Sequence, residues 1–384
     1  MEGRGIKMRD VWIADAVAIT PFGESRRQLW QALLAGKSAI KPVWRFPVKN
    51  YHAGIASCIE DLVGSGDRSM GHVLLQRLLQ QLDPVSQDAL LITATTKSGI
   101  DNLEKVCRGY PANIQDIMLS AIYEELHNDL NLKQHGINIS ASCASSTIAI
   151  AQGAAMIASS WTDAVLVCCM DLVTEFVFSG FSALQALSAT PCRPFDRDRS
   201  GLSMGEGAAA VLLMSKERAK QEARPHLATI LGWGAANDAG HITAPDKDGS
   251  GLQQAIIQAM AAAKCNAFDI AAISAHGTGT LYNDQMELKV FNHIFADHPL
   301  PIYSIKGAIG HTLGAAGGIE TVVGIQTLLE KTAPPTIGFS NPEKGAEGRV
   351  MSEPVDISGN CLLATNSGFG GINAAIILGE GSVS

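Results

Sequence analysis

The sequence predicts an α/β protein built from two copies of one strand-turn-helix unit. Apolar runs of strand length alternate with longer helical stretches. The segments INISASCASSTIAIAQGAAMI (137–157) and IYSIKGAIGHTLGAAGGIETV (302–322) each pass from a short strand, through a turn of small residues, into a helix. With 38 glycines and 5% aromatic residues, the chain also has the small side chains that closely packed helices and sheets need at their contacts.

Strands are expected, in order, at Val11–Ile19, Ala89–Thr93, Ala164–Met170, Ala208–Leu213, Ile270–Ala275 and Ala374–Leu378, each a short apolar run. Helices are expected at Arg26–Leu34, Ile117–Leu130, Ala144–Ile157, Gly251–Ala263 and Gly317–Glu330. No linker or low-complexity stretch separates the halves. The repeated unit places its turn where the free amides of a helix N-terminus point, a setting suited to chemistry.

Composition narrows the function classes. At 384 residues and 46% hydrophobic, the chain can bury a large core, and 29 Lys plus Arg against 37 Asp plus Glu give a net charge of -8. Without a basic tail or arginine block, no nucleic-acid partner is expected. The apolar start is interrupted by Asp10 and Asp15, too short and polar for a membrane span, so a cytoplasmic protein with no membrane partner is expected. The eight cysteines form no CxxC pair, which disfavours both a zinc site and a disulfide framework.

Three turns carry reactive side chains. Cys143 lies in Ser140-Ala-Ser-Cys-Ala-Ser-Ser146 before a long Ala/Ile-rich helix, whose dipole favours a thiolate and whose small neighbours leave room for an acyl partner. His276 heads HGTGT after the apolar IAAISA, suited to acid/base work or to donating to an oxyanion, with Asp284 following across a loop at Leu281-Tyr-Asn283. His311 and Lys306 share Lys306-Gly-Ala-Ile-Gly-His-Thr-Leu-Gly-Ala-Ala-Gly317, the turn of the second copy. Taken singly, a cysteine is more often a buried structural residue, a loop histidine more often satisfied, and a lysine more often merely solvated. Three such turns together shift the reading to a site.

These residues resemble the elongating β-ketoacyl-acyl carrier protein synthases of the thiolase superfamily, nearest their type II branch. The matching motifs are SASCASS, Pro194-Phe-Asp196 with Gly205-Glu-Gly207, HGTGT with Asp284, KGAIGHTLGAAGG with Glu320, and Asn366-Ser-Gly-Phe-Gly-Gly-Ile-Asn373. The resemblance implies a thiolase-like fold: two pseudo-repeated α/β halves, 1–225 with the nucleophile and 226–384 with both histidines, in a five-layered α-β-α-β-α core. It implies that Cys143 accepts an acyl group, that His276 and His311 promote decarboxylation of a malonyl thioester, and that Lys306 and Glu320 support them. Thr278 and Thr280 would line the path of the carrier's pantetheine arm. Phe369 would gate the acyl pocket, with Gly368 and Gly370 beside the substrate.

No metal or free cofactor is implied, since substrates arrive on the phosphopantetheine of an acyl carrier protein. A homodimer, or a heterodimer with a related ketosynthase, is the implied assembly. Ser200, Leu202 and Leu281 depart from the family's usual Asp, Phe and Pro, and the first third lacks the basic pair that many members use to grip the carrier. Arg68 and Arg108 are the remaining candidates for that grip. Two rivals keep the fold. A non-catalytic chain-length partner would usually lose the nucleophile, which is kept here, and a thiolase-like acyl-CoA acyltransferase needs a second active-site cysteine. Cys361 is placed near the gating loop, but its LLATN surroundings read as a buried strand.

Overall fold

Val11–Ile19 forms the first strand, β1, where small and β-branched side chains suit a pleated, largely buried surface; the computed structural model describes residues 8–382. β2 (Lys41–Pro42), β3 (Ile55–Ser57), β4 (Leu90–Ala94), β5 (Ile137–Ile139), β6 (Ala164–Asp171), β7 (Met204–Gly205) and β8 (Gly207–Ser215) complete the first half. The second half supplies β9 (His226–Asn237), β10 (Ile270–Ser274), β11 (Ile302–Tyr303), β12 (Thr332–Ala333), β13 (Val355–Asp356), β14 (Cys361–Gly368) and β15 (Ile372–Ser382). Helices α1 (Arg26–Leu34), α2 (Met70–Leu79), α3 (Asp101–Cys107), α4 (Ala121–Asp129), α5 (Ser145–Ala158) and α6 (Glu175–Ala183) precede α7 (Lys216–Gln221). After it come α8 (Ser250–Ala263), α9 (Leu281–Ile294), α10 (Lys306–Ile309) and α11 (Ala316–Glu330).

The principal sheet has the order β11-β10-β14-β15-β9-β1-β8-β6-β4-β5. It is symmetric about the antiparallel β1–β9 contact. Outward from β1 the pairings are antiparallel to β8, antiparallel to β6, then parallel to β4 and β5. Outward from β9 the same sequence recurs through β15, β14, β10 and β11.

Helices α5 and α11 pack on each other and touch strands of both fives, forming the middle layer. Both are small-residue helices buried almost all round, the pattern of a helix without a solvent face. Their closeness to each other and to the sheet depends on glycine: a Cβ at Gly317 would come 1.9 Å from Thr147 Oγ1 on α5, and one at Gly318 would come 2.4 Å from Cys169 Sγ on β6. Helices α2 and α4 cover the outer face of one five, and α8, backed by α9, covers the other, which gives the expected α-β-α-β-α stack.

Three local expectations change. Residues Leu281–Asn283 are the first turn of α9 rather than a loop. The helix expected at Ile117–Leu130 is a 3-10 turn at Ile114–Ile117 followed by α4 from Ala121, with Met118 extended between them. Strand β9, twelve residues long, was not expected, because Gly232 and Gly234 interrupt its apolar run. Those glycines let α8 lie directly on the strand: Cβ atoms there would come 2.2 Å from Ala259 O and 2.1 Å from Ala255 O.

Candidate active site

Cys143 follows β5 and sits two residues before the first residue of α5, at the end where helix amides are free. The turn is held by Ser145, whose hydroxyl donates to Ser142 O (2.6 Å) and accepts from Ala141 N (2.8 Å). Burial pushes the Cys143 thiol up to about 12, against the opposing pull of Lys306, so the resting sulfur is protonated. It lies 3.0 Å from His311 Nε2.

His311 is fixed through its backbone. Its N–H donates to Ser203 O (2.7 Å), and its carbonyl accepts from Gly205 N (3.0 Å). The preceding Gly310 has φ +67°, and a Cβ there would meet Met204 O at 2.4 Å, so only glycine fits this approach. The ring's Nδ1 has no hydrogen-bond partner among the described residues, so neither tautomer is enforced.

His276 contrasts with it. Its backbone N–H and that of Gly277 donate to the Glu287 carboxylate, both at 2.7 Å. The N–H groups of Thr278 and Phe195 donate to Asp284 at 3.1 and 2.7 Å. Asp284 and Glu287 can do this together because α9, beginning at Leu281, sets them three residues apart on one helix face. On the ring side, Asn366 Nδ2 donates to Glu320 Oε2 (2.7 Å) and faces His276 Nδ1 (3.2 Å), while Thr147 Oγ1 bonds Asn366 Oδ1. The carboxylate fixes which end of the amide is the donor, so His276 Nδ1 accepts and its Nε2 carries the proton.

Lys306 Nζ pairs with the other oxygen of Glu320 at 2.5 Å, with both side chains almost wholly buried. The two imidazoles stand edge to face, centroids 5.1 Å apart. Burial, and then Lys306, push both histidines well below their ordinary range, so both are neutral donors or acceptors near neutral pH. Cys143 Sγ and one ring nitrogen from each histidine lie within 4.8 Å of one another. By ligand type that trio suits zinc, while the charges acting on the thiol, Lys306 and Lys97 against Asp171 and Glu320, balance and so do not draw a divalent cation there.

A cavity of about 360 Å³ opens from these three residues toward solvent. Thr278, Thr280, Gly368 and Phe369 line it, as do Ser200, Leu202 and Leu281, the positions that depart from the family pattern. Thr278 and Thr280 share a 2.9 Å hydroxyl contact. Phe369 stacks on Phe181, centroids 5.7 Å apart, and its carbonyl accepts from Ser142 Oγ (2.8 Å), linking the glycine-rich loop to the nucleophile turn. Gly370 stands apart from the lining: its N–H donates to Ile242 O (2.6 Å) and its carbonyl accepts from Asn237 Nδ2 (3.0 Å), so it anchors the loop from outside.

Asn366, Glu287 and Asp171 were not singled out from sequence. Buried Asp171 accepts from Thr95 Oγ1 (2.9 Å), Thr96 N (3.1 Å) and Gly314 N (2.7 Å), tying the loop after β4 to the turn that carries His311. Asn366 opens the glycine-rich motif already noted and Glu287 lies three residues beyond Asp284, but neither was given a role there. Neither arginine proposed for gripping a carrier is free: Arg68 pairs with Asp116 and Glu125, and Arg108 with Glu175 and Glu104. Cys361 begins β14, whose other end, Gly368, is at the site, so seven residues of strand, about 23 Å, separate it from the chemistry.

Comparison with known proteins agrees with this geometry. Residues 92–219 match the model of the β-ketoacyl synthase N-terminal domain, and residues 227–340 match its C-terminal domain. A 3-oxoacyl-[acyl-carrier-protein] synthase 2 of Rhizobium meliloti is 30% identical, covering 97% of this chain and 99% of its own; one from Coxiella burnetii is 29% identical over 97% and 99%. Among solved structures, the ishigamide ketosynthase/chain length factor superposes with a TM-score of 0.87 at 25% identity, covering 97% of this chain and 99% of that one. A ketosynthase from Xenorhabdus doucetiae, in complex with its chain length factor, gives 0.84 at 26% identity, covering 97% and 98%. The chain therefore belongs to the β-ketoacyl synthase family, acyltransferases that elongate fatty acid or polyketide chains.

Proposed function

We propose that the chain carries out a decarboxylative Claisen condensation in two half-reactions at Cys143. In the first, the Cys143 thiol gives its proton to His311 Nε2 as sulfur attacks an acyl thioester. The backbone amides of Cys143 and Phe369 stabilise the tetrahedral oxyanion, and the departing pantetheine thiolate takes the proton back. In the second, a malonyl thioester binds with its carbonyl oxygen toward both imidazoles, and its carboxylate leaves as carbon dioxide. The electron pair left behind forms an enolate that attacks the acyl-Cys143 carbonyl, and Cys143 leaves as thiolate, which takes one proton from solvent to restore the thiol.

The observation that carries this reading is the different fixing of the two histidines. His276 is held as an Nε2–H donor by Asn366 and Glu320, which suits an oxyanion and not a base. His311, unconstrained at Nδ1, can accept the thiol proton in one half-reaction and donate in the other. Lys306 and Glu320 hold this arrangement as a buried ion pair. A thiolase-type reaction would need a second cysteine at the cavity, and Cys143 is the cavity's only cysteine among the described residues.

Substrates would arrive on the phosphopantetheine of an acyl carrier protein, with Thr278 and Thr280 beside the arm and no resident cofactor. Phe369 would swing away from Phe181 to separate the two half-reactions. We read 1–225 and 226–384 as the two copies of the unit. A twofold assembly through the edge strand β5, where Ile137 is exposed, would give a homodimer or a heterodimer with a related ketosynthase. Among the described residues no helix is long and apolar enough to cross a membrane, which accords with a cytoplasmic enzyme. Intact-mass detection of acyl-Cys143, across acyl thioesters on carrier protein and on coenzyme A, tests the reading. An adduct that persists in Cys143→Ala would refute it.

A further inference from the structure

The mouth of the cavity is apolar where an electrostatic grip on an acidic carrier would be expected. Leu184 (52% exposed), Leu281 (49%) and Tyr282 (68%) line it, and Ile242 (77%) stands beside it on the loop that bonds Gly370. Four large apolar side chains this exposed around one opening form a patch of the kind that marks an interaction surface. Two of them arise from the sequence Leu281-Tyr282, which opens α9 at the rim.

The described residues that line the cavity offer an acidic partner no lysine or arginine. Apart from the histidines, the one ionisable carboxylate or basic side chain among the described residues lining the cavity is Asp238, which accepts from Asn373 Nδ2 (2.8 Å) and Asp246 N (3.0 Å). Lys247 stands in sequence between Asp246 and Asp248, and Lys289 pairs with Asp248 at 2.5 Å. Arg199 is wholly buried and engaged with Glu343 and with the carbonyls of Thr280 and Leu281. Arg68 and Arg108 are committed to carboxylates, as described above.

We propose that the rim formed by Leu184, Ile242, Leu281 and Tyr282 is the carrier-docking surface. The carrier that fits it presents apolar side chains around its phosphopantetheinyl serine in place of a row of acids. The proposal rests on the ketosynthase reading above: because the arm that enters the cavity is tethered to the carrier, the carrier must cover this mouth. Docking through apolar contacts has little dependence on ionic strength, whereas a basic grip on acids weakens steeply as salt shortens the screening length.

The test compares initial rates of Cys143 acylation, read by intact mass, from three donors of one acyl group. The donors are an acidic fatty-acid carrier protein, the same carrier with the acids flanking its modified serine replaced by leucine, and acyl-pantetheine alone. The leucine-faced carrier should acylate about tenfold faster than its acidic parent and change by less than about threefold between about 50 and 300 mM salt. Ile242→Asp, and separately Tyr282→Asp, should lower the ratio of the leucine-faced carrier's rate to that of acyl-pantetheine about tenfold. A faster acidic parent that loses tenfold or more with salt would overturn the proposal, as would rim variants that leave the ratio within about twofold. If none of the three donors acylates Cys143, the nucleophile assignment falls and the docking proposal with it.

Discussion

Asn366 donates one amide hydrogen to Glu320 Oε2 at 2.7 Å and turns the same nitrogen toward His276 Nδ1 at 3.2 Å. A residue on the last stretch of β14 thereby sets the tautomer of a histidine at the end of β10. Asn366→Asp should reverse that setting: a carboxylate oxygen facing Nδ1 would draw the proton there and leave a lone pair on Nε2, aimed at the enolate oxygen. Decarboxylation of malonyl-carrier protein should fall by about 10²–10³, the usual cost of losing one oxyanion donor, while acyl uptake falls by far less. Carbon dioxide release and intact-mass acylation, measured side by side, check it. Equal losses in both would show that Asn366 only supports the fold.

Cys143→Ala should abolish condensation yet leave malonyl decarboxylation, since the imidazole donors that stabilise the enolate remain. His276→Ala should lower decarboxylation more than acyl uptake. Comparable losses in both half-reactions would contradict the division of labour between the two histidines.

The reactive turns were legible because each is local: SASCASS, HGTGT and the Lys306–Gly317 turn announce themselves through short runs of small residues beside one reactive side chain. Part of what holds those turns was not, because it comes from far along the chain. Asn366 reaches His276 across 90 residues, and Asp171 reaches Gly314 across 143. Fold class was legible in the same uneven way. Helix α1 coincides with its expected bounds, and β1 does too, while β9 was hidden by glycines that exist only because α8 lies against them. The α9 start was taken for a loop because Leu281-Tyr-Asn283 follows a glycine-rich turn and carries no capping side chain.

Both histidines are held below their ordinary range by burial, which has a consequence for stability. As pH falls below about 6.5 the unfolded chain takes up protons at these two positions and the folded chain does not, so stability is complete above that pH and declines beneath it. Each should contribute about 1 kcal/mol of loss between pH 6.5 and 5.5. Urea unfolding of the parent and of His311→Gln across this window should show a shallower decline in the variant, by about one proton. Identical slopes would mean that His311 titrates normally in the folded protein.

Lys306 and Glu320 form an ion pair with 1% and 3% side-chain exposure, so neither charge has water to fall back on. Lys306→Met would strand the Glu320 carboxylate and should cost about 3–5 kcal/mol. Adding Glu320→Gln should restore most of that stability, because the amide oxygen can still accept from Asn366 while no buried charge remains. Activity should not return with stability in the double variant if the pair also tunes the histidines. Denaturant midpoints and decarboxylation rates for the two variants separate these effects.

Gly368 tests how tightly the nucleophile turn is placed. A Cβ there would lie 3.0 Å from Cys143 N, and also 3.0 Å from Ser142 Cβ and from Ile372 Cγ2. None of these is the end of a flexible side chain, and the first is the amide that would stabilise the oxyanion. Gly368→Ala should therefore move the turn by a few tenths of an ångström and lower acyl uptake from acyl-pantetheine by about tenfold or more, given how steeply rate depends on alignment. Gly370→Ala is the control. Its Cβ meets nothing within 4 Å, but at φ +87° a side chain is strained, so it should lower stability by about 1–2 kcal/mol while acyl uptake falls less than in Gly368→Ala. Acyl uptake equal to the parent's in Gly368→Ala would show that the turn yields without displacing the sulfur or the Cys143 amide.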